Sequence, residues 1–132
     1  MKRFFILFLV VILLFTMTAC GANASPSGVV SDCYDAIISG KTEAFLGCFT
    51  PEIQIGLPAL LGLVGISLED YIEDSSITKY AITQEKTIDS DHATVTVDIT
   101  YKSKNVRSLS MDCVKIDGKW YIDFDFLFDS LF

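Results

Sequence analysis

Apolar and polar residues are distributed along this chain in three patterns, and each marks a region. Phe4 to Phe15 are twelve apolar side chains in a row, directly behind Lys2 and Arg3. Between Val29 and Ser39, apolar side chains fall at Val29, Val30, Cys33, Tyr34, Ile37 and Ile38. That spacing is helical and leaves Ser31, Asp32 and Asp35 on the opposite side. From Ile77 onward the period shortens to two. Ala93, Val95, Val97, Ile99 and Tyr101 alternate with Thr94, Thr96, Asp98, Thr100 and Lys102, as in a strand buried on one face.

Local signals supply the rest of the elements. Ser27 is the expected cap of the first helix and Gly40 its C-terminal stop. Thr42 is the expected cap of a second, short helix, with Glu43 at the positive end of its dipole and Ala44, Phe45, Cys48 and Phe49 as its apolar face. Thr50-Pro51-Glu52 opens another helix with proline at its first position. Ile53 to Ile66 is rich in Leu and Gly, is uncharged from Leu57 onward and contains Pro58. It predicts a kinked, buried helix, with a mobile lid over a pocket as the other reading. Ser67-Leu68-Glu69-Asp70 caps a last helical turn through Tyr71 and Ile72.

The first strand begins at Ile77 and places Tyr80, Ile82 and Ile88 on one face. Asp89-Ser90-Asp91-His92 turns it into the second strand. Ser103-Lys104-Asn105 leads to a third, Val106 to Ile116, and Asp117-Gly118 to a fourth, Lys119 to Asp125. Trp120, Ile122 and Phe124 share a face, so Trp120 is expected to be largely buried. Short loops require antiparallel neighbours. The predicted fold is therefore α+β, with N-terminal helices packed on one face of a curved four-stranded antiparallel sheet.

The N-terminal segment combines a positive start, an apolar stretch and a small residue before Cys20, which is the layout of a signal peptide. Twelve helical residues reach about 18 Å, short of the ~30 Å hydrocarbon core of a bilayer. Met17-Thr18-Ala19-Cys20 resembles the lipobox of bacterial lipoproteins. The resemblance implies cleavage before Cys20 and a diacylglycerol thioether on that residue. Two or more acyl chains hold a protein firmly on a membrane. The expected location is extracytoplasmic and lipid-anchored, in an envelope of one membrane or two. The expected organisation is a signal peptide over 1–19, a flexible tether over 20–27 and a single domain over 28–132. Asn23-Ala24-Ser25 fits a glycosylation sequon, which in a bacterial tether is a chance match.

Loss of Lys2 and Arg3 with the leader takes the formal charge from −7 to −9. That balance argues against nucleic acid as a partner. It also disfavours direct docking on anionic headgroups and chiefly promotes solubility. With Cys20 committed to lipid, Cys33, Cys48 and Cys113 remain, without a C-x-x-C and with one His, so zinc spacing is absent. An extracytoplasmic domain permits a disulfide. Cys33 and Cys48 lie seven and eight residues from Gly40 on opposite arms of a helical hairpin, and are the favoured pair, with Cys113 left as a buried thiol. The other reading is three buried small hydrophobes.

Tyr34-Asp35-Ala36-Ile37 before Gly40-Lys41, followed by Phe45 and Phe49-Thr50-Pro51, resembles the opening helical hairpin of small nuclear-transport-factor-2-like (cystatin-like) domains. Val114-Lys115-Ile116-Asp117-Gly118-Lys119-Trp120-Tyr121-Ile122 resembles their closing hairpin as found in bacterial lipoproteins. The resemblance implies a cone with a pocket between helices and sheet, and it bears on fold more than on function. Isomerases of that superfamily place an Asp base and a Tyr donor inside the cone. By analogy Tyr34, Tyr80 and Tyr101 are the candidate polar groups of the pocket. Asp112, which shares parity with Val114 and Ile116, is the best acid candidate, while Asp98 is expected to face solvent.

No catalytic motif maps onto these residues. His92 reads as a turn histidine. Gly40-Lys41-Thr42 lacks the first glycine of a phosphate loop and lies between helices. Asp123, Asp125 and Asp129 alternate with Phe124, Phe126 and Phe128 as strand residues do, without calcium-loop spacing. No metal and no cofactor is expected. The expected function is a membrane-anchored lipoprotein that binds a small apolar ligand or an envelope partner without catalysis. The alternative is a small isomerase- or hydrolase-like enzyme using Tyr and Asp groups in the cone. A hollow cone and the polarity of its lining discriminate the two.

Overall fold

The computed structural model describes residues 23–123, so the expected leader, Cys20, and the expected strand positions Phe124, Asp125 and Asp129 lie outside the described residues. Four helices precede four strands among the described residues. Helix α1 (Pro26–Ser39) begins earlier than predicted. Ser25, not Ser27, is its cap, accepting the Gly28 N–H at 2.9 Å. Pro26 takes the first helical position, where no N–H partner is required. Ser27 instead donates its N–H and hydroxyl to one Glu85 carboxylate oxygen, at 2.9 and 2.8 Å. Upstream, the Asn23 carbonyl accepts the Trp120 N–H at 2.9 Å. The expected tether is thus shortened, because the chain is already pinned to the domain at Asn23. Gly40 ends α1 at φ 72°, while the Lys41 N–H donates back to the Ala36 carbonyl at 2.9 Å. A glycine takes that left-handed conformation without a Cβ penalty.

Helix α2 (Thr42–Leu46) starts one residue ahead of expectation, with Lys41 as its cap. Helix α3 (Pro51–Leu63) has Pro51 at its first position and runs through Pro58. Its burial is narrower than predicted. Ile53, Leu57 and Leu61 form one inward stripe at i, i+4, i+8, whereas Ile55 and Leu63 are 79% and 84% exposed. Helix α4 (Leu68–Asp74) has the predicted cap, with the Ser67 hydroxyl accepting the Asp70 N–H at 3.1 Å.

The strands β1 (Ile77–Thr87), β2 (His92–Tyr101), β3 (Val106–Ile116) and β4 (Lys119–Ile122) form one antiparallel sheet in chain order. Ala93, Val95, Val97 and Ile99 of β2 are each no more than 1% exposed. The β2–β3 register places Leu109 opposite Val97, Met111 opposite Val95 and Cys113 opposite Ala93. Directly paired residues share a face, so the odd positions of β3 face the helices. Asp112, opposite Thr94, is exposed on the outer face, which corrects its expected inward position. A parity error of one residue turns a whole strand over, and Val114 and Ile116 proved to be outer-face apolar residues. Ile88 is also corrected. It lies beyond the end of β1, is 61% exposed, and follows a register shift between Ile82 and Gln84 that resets the alternation.

On β4, Ile122 is fully buried but Trp120 only half-buried, because it sits at the rim of the core on a four-residue edge strand. The helical layer is stitched to that edge. The Ile122 N–H donates to the Cys48 carbonyl at 2.8 Å, and the Thr50 N–H donates to the Ile122 carbonyl at 3.3 Å. One continuous apolar cluster joins α1, α3 and the inner face of the sheet.

Candidate ligand cavity

Helices and sheet do not fill the space between them. A cavity of about 420 Å³ lies against α1, α4, β2 and β3, within the size range of small-molecule sites. Its floor is buried and largely apolar: Cys33, Tyr34, Phe49, Ile99 and Met111 line it and are each no more than 3% exposed. Tyr34 and Ile37 come inward as i, i+3 neighbours on α1, and Leu109 and Met111 as inner-face positions of β3. Phe45 packs edge-on against Phe49, with ring centroids 5.0 Å apart, and closes the α2 side. Ile66, in the loop after α3, reaches the lining. The mouth is polar, with Asp74 and Ser75 on the α4 side and Tyr101 and Arg107 on the sheet side.

Within the cavity the Tyr34 hydroxyl donates to the Met111 sulfur at 3.4 Å. Burial pushes the Tyr34 phenol far above its ordinary range, and burial also raises Tyr71. Both phenols stay neutral at physiological pH and serve as hydrogen-bonding groups in an apolar wall. Tyr101 is half-buried in the lining. Tyr80 stacks on Tyr34, with centroids 5.5 Å apart, but its hydroxyl turns away and donates to Asp35 at 2.7 Å. Partial burial and that bond raise the Tyr80 phenol.

The structure therefore gathers Tyr34 and Tyr101 in the cavity, sets Tyr80 behind Tyr34, and leaves Asp112 across the sheet. There the Asp112 carboxylate accepts the Thr94 hydroxyl at 3.1 Å. Asp98 is likewise on the outer face, accepting the Ser108 hydroxyl at 2.7 Å. The Asp–Tyr arrangement expected from the isomerases is not assembled by these residues. Sequence reasoning missed Tyr71, Asp74 and Arg107. For Arg107 a signal existed, since it shares parity with Leu109 and Met111.

Cys33, Cys48 and Cys113 are buried free thiols, so the expected Cys33–Cys48 bridge is not formed. The Cys48 thiol instead donates to the Ala44 carbonyl at 3.3 Å. A hydrogen bond with Cys48 and then burial push the Cys33 thiol well up, and burial pushes Cys113 up to about 12. Protonated, buried thiols are poor nucleophiles and poor metal ligands. His92 is exposed at the start of β2, with Nδ1 2.9 Å from Asp89 Oδ1. Among the described residues no group of three His, Cys, Asp or Glu side chains is placed to hold a metal ion.

No protein-family model matches the chain, and no curated protein matches it. Solved structures do. A nuclear-transport-factor-2-like protein of Campylobacter jejuni, whose name proposes a transpeptidase, is 15% identical, with a TM-score of 0.55 over 76% of this chain and 100% of that one. A SEC-C motif protein of Rhodopseudomonas palustris is 15% identical, with a TM-score of 0.60 over 79% of each chain. A protein of Shewanella oneidensis, described as nuclear-transport-factor-2-like, is 17% identical, with a TM-score of 0.48 over 71% of this chain and 88% of that one. At such identities the shared property is the backbone arrangement. With its helices laid against a curved antiparallel sheet around a cavity, the chain folds as a nuclear-transport-factor-2-like α+β domain.

Proposed function

We propose that this protein is an extracytoplasmic lipoprotein, anchored through lipid on Cys20, whose cavity binds a small apolar or amphipathic molecule without transforming it. The observation that carries the binding reading is the lining. An apolar, buried floor of Cys33, Phe49, Ile99 and Met111 is interrupted by neutral phenols, and the charged groups stand only at the mouth. Such a surface gains from burying an apolar body and orients it by few polar groups.

Met111 reports on the cavity. The full chain, labelled with methyl-¹³C methionine and held in phosphatidylcholine nanodiscs, should show a saturable shift of the Met111 methyl on addition of 1-octanol. Leu109→Trp, which fills the cavity, should abolish it. A Met111 signal that never moves would sink the binding reading. The anchor is tested separately by mass spectrometry of the mature N-terminus. A lipidated Cys20 is expected, with no processing at this point in Cys20→Ala, and an unmodified start at another residue would refute it.

A further inference from the structure

A second cleft, lined by polar side chains, adjoins the cavity at two shared residues. This cleft, of about 590 Å³, is lined by Ser76, Tyr101, Lys102, Ser103, Asn105 and Arg107, and it shares Tyr101 and Arg107 with the apolar cavity. It has two cationic side chains, hydroxyl and amide donors, and no acid. The cause lies in the sequence. Residues 99–111 contain Lys102, Lys104 and Arg107 and no acid, within a chain of formal charge −7.

Backbone bonds hold the cleft in shape. The Lys102 N–H donates to the Ser76 carbonyl at 2.8 Å, and the Tyr101 N–H to the Asn105 carbonyl at 3.0 Å. Arg107 pairs with Ile99 in the sheet, so its stem starts on the inner face while its exposed end reaches the mouth. Among the described residues the one ion pair is His92–Asp89, which leaves the Arg107 guanidinium without a carboxylate partner there. Asp74 stands on the α4 side of the same mouth. It repels an anion from that side and favours the polar cleft.

We infer that the site takes an amphiphile with an anionic head, its apolar chain in the cavity and its carboxylate or phosphate in the cleft against Arg107. The inference rests on the binding reading above. Arginine suits this head because its planar fork donates two parallel hydrogen bonds to a carboxylate or phosphate. The head can come from a free single-chain acid or from a phospholipid of the anchoring membrane.

The test uses the same Met111 methyl signal and probes with one chain length: octanoate, 1-octanol and octyltrimethylammonium. Octanoate should bind about tenfold more tightly than octanol, and Arg107→Gln should remove about that factor, so that the two probes bind alike. Lys102→Gln, in the cleft but outside the apolar cavity, should weaken octanoate in the same direction and leave octanol unchanged. Nanodiscs containing phosphatidylglycerol distinguish the sources. A Met111 shift there without added probe assigns the head to membrane lipid, and a shift only with octanoate assigns it to a free acid. Equal affinity for octanoate and octyltrimethylammonium, or an Arg107→Gln variant that binds octanoate as the parent does, overturns the anionic head and leaves the cavity standing. No shift with any probe overturns both.

Discussion

The two faces of β2 and β3 are built on the same backbone and behave as different materials. Inward, Val95, Val97, Ile99, Met111 and Cys113 are at most 2% exposed. Outward, the same strands carry a ladder of polar pairs: Thr94 with Asp112 at 3.1 Å, Thr96 with Ser110 at 3.4 Å, and Asp98 with Ser108 at 2.7 Å. Asp112 is exposed and Asp98 half-buried on this outer face, where a hydrogen bond to a hydroxyl contributes little net stability. The inner face supplies apolar surface and room, with phenols and, at the mouth, Arg107 as polar groups of the cavity. Recognition by shape and apolar contact is what such a face does well.

The sharpest break of that contrast is a charge on the inner face. Val97→Asp buries an unpaired carboxylate, which costs several kcal/mol or forces protonation, against a total of only ~5–15 kcal/mol. Loss of cooperative unfolding by circular dichroism is expected. Thr96→Asn, one residue away on the outer face, should change stability by about 0.5 kcal/mol or less. If both variants unfold alike, the faces are wrongly assigned. Truncation comes next. Ile122→Ala should cost about 2–5 kcal/mol. Trp120→Ala should cost roughly 1–3 kcal/mol, below the ~3–5 kcal/mol of a fully buried aromatic, because Trp120 is only half-buried. Urea melts that rank Trp120 above Ile122 would contradict the edge position of β4.

On the outer face, Asp112→Ala should cost no more than about 1 kcal/mol, since it removes one exposed hydrogen bond. Octanol binding should be unaltered, and a variant that folds but loses it would return this carboxylate to the cavity. Thiol reactivity sharpens the same distinction. Cys33, Cys48 and Cys113 should resist a thiol reagent at pH 8 in the native protein and all react in denaturant. Rapid native labelling of any of the three would show an open core.

The smallest effect belongs to the β1–β2 turn. His92 is raised by its hydrogen bond to Asp89, and Asp89 is lowered first by the Asp91 N–H and then by His92. The histidine's contribution is complete below its unfolded pKa of ~6.5 and is lost as pH rises through the higher folded value. The aspartate's is present above ~3.9 and is lost as pH falls through its lowered folded value. His92 is the one histidine of the chain, so its NMR titration is direct. Asp89→Asn should bring it back toward ~6.5. An unchanged midpoint would remove the pair.

What the sequence alone determined was local or periodic. The Ser67 cap, the Gly40 stop, Pro51 at a first turn and the alternation of β2 all depend on residues within a few positions, where backbone sterics and near hydrogen bonds decide. Helices ahead of a four-strand meander follow from the change in period and the short loops. Tertiary structure decided the rest. The parity of β3 was set by pairing with β2 across the Ser103–Asn105 turn, and that pairing sent Asp112 outward and Arg107 to the mouth. Ser25 displaced Ser27 as a cap once Ser27 found Glu85, 58 residues away. Trp120 lost part of its burial to the shortness of β4. The cavity had no trace in any one segment. It is the space left where α1 and α4 meet a curved sheet, and the distance between two packed layers belongs to all of their side chains together.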